Sequence, residues 1–101
     1  MKEEILKIDA QILFLKDSKR QKEIYSKYFP SFDFIGELTM GVIFFEGEPI
    51  KRGEKRNVEI EFSYKQLLGN IQVGSKFSFY EGSNIIGTGI VTKKYWEDYE
   101  K

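Results

Sequence analysis

The sequence contains no cysteine and no histidine among its 101 residues. The chain therefore cannot form disulfides, and it lacks thiolate nucleophiles, the usual zinc ligands and the side chain that most often acts as a base at neutral pH. We expect no enzymatic activity, no metal and no cofactor. The formal net charge is zero, because 16 basic residues balance 16 acidic ones. No overall charge favours nucleic acid or a membrane, so a charged partner must be recognised by a local patch.

Long apolar runs are also missing. The first 15 residues, MKEEILKIDAQILFL, are interrupted by polar side chains and carry acids where a secretion signal would be basic. They predict neither a secretion signal nor a membrane-spanning segment, so we expect a cytoplasmic protein without a membrane partner. The length fits a single domain, residues 1–101, and we expect residues 97–101 to form a short flexible tail.

Alternating hydrophobicity is the clearest positive signal. In NVEIEFSYK, residues 57–65, apolar and polar side chains alternate as in a strand with one buried and one solvated face. Similar runs cover residues 8–15, 32–35, 39–45, 76–80 and 85–92. Six short strands without intervening helices predict an all-β antiparallel barrel or sandwich. The predicted core residues are Ile8, Ile12, Phe14, Val42, Phe44, Val58, Ile60, Phe62, Phe77, Phe79, Ile86 and Ile90.

Residues 17–30, DSKRQKEIYSKYFP, do not follow this alternation. The segment is longer than most hairpin connections, and Ser18 followed by Gln21 has the spacing of a capping box. A loop and a short helix that ends before Pro30 both remain open. Its cations and aromatic rings include Arg20, Lys22, Lys27, Tyr28 and Phe29. RNA-binding proteins use such a mixture to pair phosphates and stack bases, but a solvated connection with its rings packed on the barrel end has the same composition.

Two other charged groups are weaker candidates. Glu59 and Glu61 share the outward face of one predicted strand, which would suit a pair of catalytic carboxylates or a divalent metal. A solvated strand face explains them equally well, and we expect that role. The basic hairpin KRGEKR, residues 51–56, could meet phosphates, but edge lysines also deter strand-to-strand aggregation.

Gly87 and Gly89 lie in an apolar strand, where glycine is unfavourable unless a barrel corner or a close approach needs the space. Their surroundings, YEGSNIIGTGIVTK, resemble the last hairpin of the C-terminal barrel domain of bacterial translation elongation factor Tu. Members of that family show R-E-G-G-R-T-V-G-A-G-V-V-x-K there. Glu81 and Gly82 match the turn, and Gly87 and Gly89 match the two strand glycines.

The resemblance covers about residues 8–93. Upstream, SKRQKEIYSKYFPSFDF is similar to the family's G-G-R-H-T-P-F-x-x-G-Y-R-P-Q-F-x-F, with Arg20, Tyr28 and Pro30 at matching positions. In the family, this loop and the E-G-G turn lie along the T-stem backbone of aminoacyl-tRNA. This sequence departs at several of those positions; for example, Lys22 lies within the stretch that replaces H-T-P, and Phe29 stands where the family has arginine.

The resemblance implies a six-stranded antiparallel Greek-key β-barrel like the C-terminal domain of elongation factor Tu. The chain has no G-x-x-x-x-G-K-[ST] loop, so we expect no GTP binding. With these absences, the resemblance implies a non-enzymatic binding module. Its contact face consists of residues 17–31 and the turn at residues 81–84. The partner-binding residues are Arg20, Lys22, Lys27, Tyr28, Phe29, Glu81 and Gly82.

The altered loop favours a protein partner for this module. One alternative is a translation-associated protein that binds tRNA or another structured RNA through the cations and rings of the loop. Another is an immunity-like or decoy protein that mimics the elongation factor.

Overall fold

A computed structural model describes residues 2–34, 37–62 and 71–100, with side chains described for residues 6–34, 38–62 and 71–95. Its strands are β1 Lys2–Phe14, β2 Ser31–Phe34, β3 Glu37–Phe44, β4 Lys55–Phe62, β5 Lys76–Glu81 and β6 Asn84–Glu100. They close into an antiparallel barrel in the order β1-β4-β3-β2-β5-β6, with β6 paired to β1. The prediction of an all-β barrel with six antiparallel strands is confirmed. Within the described ranges, no helix is long and apolar enough to cross a membrane.

The barrel is closed by its two longest strands. β1 and β6 pair from Lys2 opposite Glu100 to Phe14 opposite Gly87. Residues 97–100, for which the sequence predicts a flexible tail, continue β6 and pair with the start of β1, whereas Lys101 lies outside the described residues. β6 also carries one extra residue against β1 and another against β5, at Thr92 and Ile86. Such bulges bend a strand and increase its twist, which suits a strand that must curve around a barrel.

The core is a single cluster of buried apolar side chains. Phe32 lies at its centre, with ring centroids 5.3 Å from Phe62, 5.8 Å from Phe77 and 6.2 Å from Phe79. The predicted core residues that are buried are Ile8, Ile12, Phe14, Val58, Ile60, Phe62, Phe77, Phe79 and Ile86. The period-two pattern therefore identified the buried face of β1, β4 and β5 correctly.

The face predicted for β3 is wrong. Val42 and Phe44 were expected in the core, but Ile43 is the fully buried side chain and its two neighbours are only half-buried. Gly41 also faces inward, since a Cβ atom built on it would lie 2.8 Å from Cδ1 of Phe62. The bulky Phe62 ring fills the space that a side chain at position 41 would need, which explains the glycine there. The inward face of β3 is therefore less apolar in sequence than its outward face, and the alternating pattern indicated the wrong face.

The expected burial of Ile90 is also wrong, because this residue is 37% exposed and Val91 is buried instead. Between the buried side chains of Ile86 and Val91, two positions of β6 that face neighbouring rings are glycines, Gly87 and Gly89. A Cβ atom on Gly87 would collide with the ring of Phe79 and the carbonyl oxygen of Leu13, and one on Gly89 would collide with the ring of Phe77. The interpretation that these glycines give room to neighbouring rings is confirmed.

Residues 17–30 form a loop without a helix. Ile24 is fully buried and exchanges two backbone hydrogen bonds with Ile50, of 2.8 and 2.9 Å. Tyr28 forms an isolated bridge with Ile43, which extends the pairing of β2 with β3. The Ser18 hydroxyl accepts a hydrogen bond from the backbone N–H of Arg20, 3.0 Å away, and so stabilises a turn. The predicted strand residues 35 and 63–65 lie outside the described residues.

Candidate functional site

Three of the residues selected from the sequence meet where the 17–30 loop crosses the β5–β6 turn. Arg20 Nη1 donates a hydrogen bond to Glu81 Oε2 at 2.6 Å, and the Tyr28 hydroxyl donates to the same carboxylate oxygen. The Arg20 guanidinium also lies over the Tyr28 ring, 4.9 Å from its centroid. The loop and the turn are therefore joined through one carboxylate, and we call Arg20, Tyr28 and Glu81 the anchor cluster.

Arg20 has further partners in its own loop. Its Nε donates to the carbonyl oxygen of Lys22 and its Nη2 donates to that of Glu23, both at 3.0 Å. The side chain is only 20% exposed. Because guanidinium hydrogen bonds to a carboxylate and to backbone carbonyls fix both position and plane, Arg20 holds the loop in shape. It does not stand free as a phosphate-binding cation.

Burial and the hydrogen bond to Glu81 both raise the pKa of Tyr28 above its ordinary value of 10.0. Burial is the larger cause, because it disfavours the phenolate form. The nearby Arg20 guanidinium opposes this effect without cancelling it. Tyr28 is therefore a protonated hydrogen-bond donor at neutral pH, which is the form that the contact with Glu81 requires.

The other candidate residues of the loop face solvent. Lys22 and Lys27 are exposed, and Phe29 is 56% exposed. Tyr25, which was not among the selected site residues, is 63% exposed. Lys27 has a φ of 75°, in the left-handed region that non-glycine residues seldom adopt, and its N–H donates to the carbonyl of Ile43 at 2.8 Å. With Lys19, which is also exposed, the loop presents two rings and three lysines on a backbone that is hydrogen-bonded to neighbouring segments.

Gly82 lies in the two-residue turn between β5 and β6, with a φ of 59°. A type II′ hairpin turn needs a positive φ at its first central position, which glycine adopts without strain. The residue is exposed and a Cβ atom on it would meet nothing within 4 Å. The role of Gly82 is therefore conformational, since it allows the tight turn that follows Glu81.

An exposed apolar row runs across the outer wall beside the anchor cluster. Met40 pairs with Ser31, Ser31 pairs with Tyr80, and Tyr80 pairs with Ile85 across the β5–β6 hairpin. Met40 and Ile85 are each 40% exposed, and Tyr80 is partly exposed. Phe29 precedes Ser31 by two residues along the same extended chain and lies on the same side. We call Phe29, Met40, Tyr80 and Ile85 the apolar row.

Three members of the apolar row were missed from the sequence. Met40, Tyr80 and Ile85 come from three strands, and only the strand pairing makes them neighbours. One local signal was available for Tyr80, because it directly follows Phe79 on the face opposite the core. An apolar side chain at the solvated position of an alternating strand is a reason to expect an interaction surface.

The paired carboxylates of β4 belong to an ion-pair cluster. Lys7 Nζ lies 3.6 Å from a carboxylate oxygen of Glu59 and 3.1 Å from one of Glu61. The Tyr95 hydroxyl lies within hydrogen-bonding distance of Glu59 and Asp9, and burial together with the Glu59 hydrogen bond raises the Tyr95 pKa above its ordinary value. In the part of the chain that the structure describes, no group of three or more acidic side chains could hold a metal ion.

The basic hairpin also uses one of its cations internally. Arg56 Nη1 donates to the carbonyl oxygens of Glu48 at 2.8 Å and Glu46 at 3.3 Å. Its guanidinium lies 5.4 Å from the ring centroid of Phe45. Arg56 therefore stabilises the connection between β3 and β4, which is a structural role.

A cleft of about 700 Å³ is lined by residues of β1, β2, β4, β5 and β6, among them the paired residues Asp33 and Ser78. Lys55 and Lys76 are among its lining residues, whereas none of the seven partner-binding residues predicted from the sequence is. No protein family profile matches the sequence, and no curated protein matches it. Similarity to known proteins therefore assigns the chain to no family, and the contacts of the anchor cluster are the most specific functional feature that the described residues offer.

Proposed function

We propose that this chain is a non-enzymatic binding module whose contact face is formed by residues 17–31 and the turn at residues 81–84. The observation that carries the proposal is the anchor cluster, in which Arg20 and Tyr28 of the loop share the Glu81 carboxylate of the turn. A loop held this way loses less freedom when a partner binds, so its exposed side chains can contribute more to affinity.

A protein partner fits this face better than RNA does. Arg20 is the loop cation that the chain shares with the tRNA-contacting loop of the resembling family, and its donors are engaged with Glu81 and backbone carbonyls. Tyr25 and Phe29 are exposed instead, at 63% and 56%. Exposed aromatic side chains on an ordered surface are typical anchors of protein–protein interfaces.

RNA binding is the second candidate function. Lys19, Lys22 and Lys27 are exposed beside the rings of Tyr25 and Phe29, and this arrangement of cations and stacking surfaces occurs in proteins that bind single strands. Such binding depends steeply on salt, because phosphate neutralisation releases counterions. Salt dependence and nuclease sensitivity therefore distinguish the two candidates.

We also propose that the barrel is of the Greek-key type found in the C-terminal domain of elongation factor Tu. We propose that the protein acts in the cytoplasm in a translation-related role. The strand order supports the topology, since β5 lies beside β2, the first of the consecutive strands β2, β3 and β4. Nuclear Overhauser contacts between Phe32 of β2 and Phe79 of β5 in solution test this pairing. Contacts of β5 with β4 in their place would exclude it.

Affinity capture tests the contact face. The immobilised protein, a Lys22→Glu/Lys27→Glu variant and a matched Lys55→Glu/Lys76→Glu control are incubated with lysate of the organism that encodes the chain, with and without nuclease. Arg20 is left intact, because its reversal would place two carboxylates together at Glu81. We expect the unmodified protein and the control to retain the same protein partner after nuclease treatment, and the loop variant to lose it. Melting temperatures should differ by less than about 3 °C, since all four lysines are exposed.

Two results would contradict the protein-binding proposal. Capture that disappears with nuclease would transfer the function to RNA. Capture that survives in the loop variant would remove the loop from the contact face.

A further inference from the structure

The last part of β6 has a strand on one side only among the residues that the structure describes. β5 accompanies β6 as far as Ile90, and the last backbone hydrogen bonds on that side join Val91 to residues 74 and 75. Residues 93–100 then pair with β1 along one edge, and no described strand pairs with the other edge. Such an edge presents a row of backbone N–H and C=O groups to which another strand can bind.

The charges along this edge are separated by sign. Lys93 and Lys94 come first, and the acids Glu97, Asp98 and Glu100 follow. A second copy that ran parallel to the edge would place like charges side by side, which is unfavourable between neighbouring strands. A second copy that ran antiparallel would place the basic half of each strand beside the acidic half of the other. The edge is therefore complementary to itself in the antiparallel direction.

The pairing of β1 with β6 leaves charges that such a neighbour would compensate. Glu4 of β1 stands directly opposite Asp98 of β6, and two acids at opposite positions destabilise a strand pair. Lys94 stands opposite Ile8 and is half-buried, and none of the described acidic side chains forms an ion pair with it. A strand that brings a lysine beside Asp98 and an acid beside Lys94 compensates both charges, and an antiparallel copy of β6 brings both.

We propose that the protein forms a symmetric dimer in which residues 93–99 of two copies pair as antiparallel strands, with Trp96 opposite Trp96 of the partner subunit. Because backbone hydrogen-bonding groups alternate along a strand, two-fold symmetry requires that one residue stand opposite its own copy. With Trp96 at this position, Lys94 of each copy stands opposite Asp98 of the partner subunit. A two-fold axis at Tyr95 would leave Asp98 opposite Thr92, and an axis at Glu97 would bring two glutamates together.

The dimer leaves the proposed contact face free. The turn at residues 81–84 precedes β6, and nine residues of this strand, about 30 Å along its length, separate Asn84 from Lys93. The two copies therefore meet at one end of β6, and each contact face lies at the other end. A dimer of this kind has two contact faces, which raises its apparent affinity for a partner that offers two sites.

Sedimentation equilibrium of the complete chain over a wide range of concentrations tests the proposal. The variants are Lys94→Glu, Asp98→Lys, the double exchange Lys94→Glu/Asp98→Lys and, as a control with an equal change of charge, Lys55→Glu on β4. We expect each of the two single changes on β6 to weaken dimerisation about tenfold, because like charges then face each other twice in the dimer. The double exchange should restore dimerisation, since opposite charges face each other again. The control should dimerise as the unmodified chain does.

Melting temperatures in dilute solution separate loss of the dimer from loss of the fold. Asp98→Lys should not lower the melting temperature of the monomer, since it removes the pair of acids formed with Glu4. A chain that stays monomeric at every concentration would overturn the proposal. Dimerisation that Lys94→Glu leaves unchanged, or that the double exchange fails to restore, would overturn the proposed pairing. The capture experiment decides the proposed function independently, because its variants leave residues 93–100 intact.

Discussion

Gly87 and Gly89 both face neighbouring rings from β6, yet different atoms occupy the space that a side chain would need at each position. At Gly89 the three atoms nearest to a Cβ atom all belong to the Phe77 ring, with Cε2 at 2.8 Å and Cζ closer still. At Gly87 it would meet the Phe79 ring and also the carbonyl oxygen of Leu13, which belongs to the paired strand β1. A ring can be replaced by a smaller side chain, whereas a backbone oxygen cannot be removed from the ladder.

This difference leads to a rescue experiment. We expect Gly87→Ala and Gly89→Ala both to destabilise the fold, by about 1–3 kcal/mol or more, because an inserted methyl group overpacks the core. Combining Gly89→Ala with Phe77→Leu should cost less than the sum of the two single changes. Combining Gly87→Ala with Phe79→Leu should show less of this relief, since the Leu13 oxygen remains in place. Urea unfolding of the single and double variants gives the coupling energies.

Equal relief in both pairs would contradict the role assigned to the Leu13 oxygen. Gly89→Val and Gly87→Val extend the test, because valine is the better strand former and should nevertheless destabilise both positions. An unchanged melting temperature in both valine variants would exclude close packing against these glycines.

At the scale of strands, β3 shows why an alternating pattern fixes a strand but not its buried face. Residues 39–45 are compatible with a strand of either face inward, because Val42 and Phe44 on one face are apolar and so is Ile43 on the other. The choice depends on β4, where the Phe62 ring occupies the space next to Gly41. A shift of one residue would put Val42 into the place of Gly41 and collide with this ring.

Alanine substitutions on β3 distinguish the two faces. Ile43→Ala should lower the free energy of unfolding by about 2–5 kcal/mol, because a fully buried side chain is lost and a cavity is left. Val42→Ala, at the half-buried neighbour, should lower it by less than about 1 kcal/mol. Chemical denaturation of both variants gives the comparison. A larger effect at Val42 would mean that the buried face is the one predicted from the sequence.

The loop at residues 17–30 shows a similar dependence on distant partners. The local sequence allowed a helix or a loop, since Ser18 and Gln21 have capping-box spacing. Backbone pairing of Ile24 with Ile50 and of Tyr28 with Ile43 selects the extended loop. These bridges place Tyr28 where its hydroxyl reaches Glu81, so the conformation of the loop and the formation of the anchor cluster depend on each other.

At the scale of the whole molecule, the anchor cluster makes stability depend on pH in the alkaline range. The raised pKa of Tyr28 means that the folded state keeps its phenolic proton to higher pH than the unfolded state, which ionises near 10.0. Below this pH the stabilisation is fully present. Above it the unfolded state binds fewer protons than the folded state, so the free energy of unfolding falls as pH rises.

Tyr28→Phe isolates this contribution. At neutral pH the variant should be less stable by about 1–2 kcal/mol, because a hydrogen bond to a carboxylate is lost. This difference should shrink above about pH 10, since the variant lacks the ionisable hydroxyl. Tyr25→Phe, at a side chain that is 63% exposed, is the matched control and should change stability little at neutral pH. A difference between wild type and Tyr28→Phe that stays constant across the alkaline range would contradict the linkage.

Part of this molecule is determined locally by the sequence. Period-two alternation and turn residues identify strands because both are properties of a few consecutive residues, and each of the six predicted strands overlaps one of the six strands among the described residues. The resemblance also named Arg20, Tyr28 and Glu81. Their contact was not predictable from local chemistry, since 61 positions separate Arg20 from Glu81.

The tertiary structure alone decided which faces are buried and which residues meet. Phe62 sets the inward face of β3, and the rings of Phe77 and Phe79 set that of β6. The apolar row exists only because strand pairing brings Met40, Tyr80 and Ile85 side by side. Alternation repeats every two residues, so by itself it does not say which face of a strand is buried. The volume available to a side chain is set by neighbours that are far away in the chain, and it is defined only once the barrel has closed.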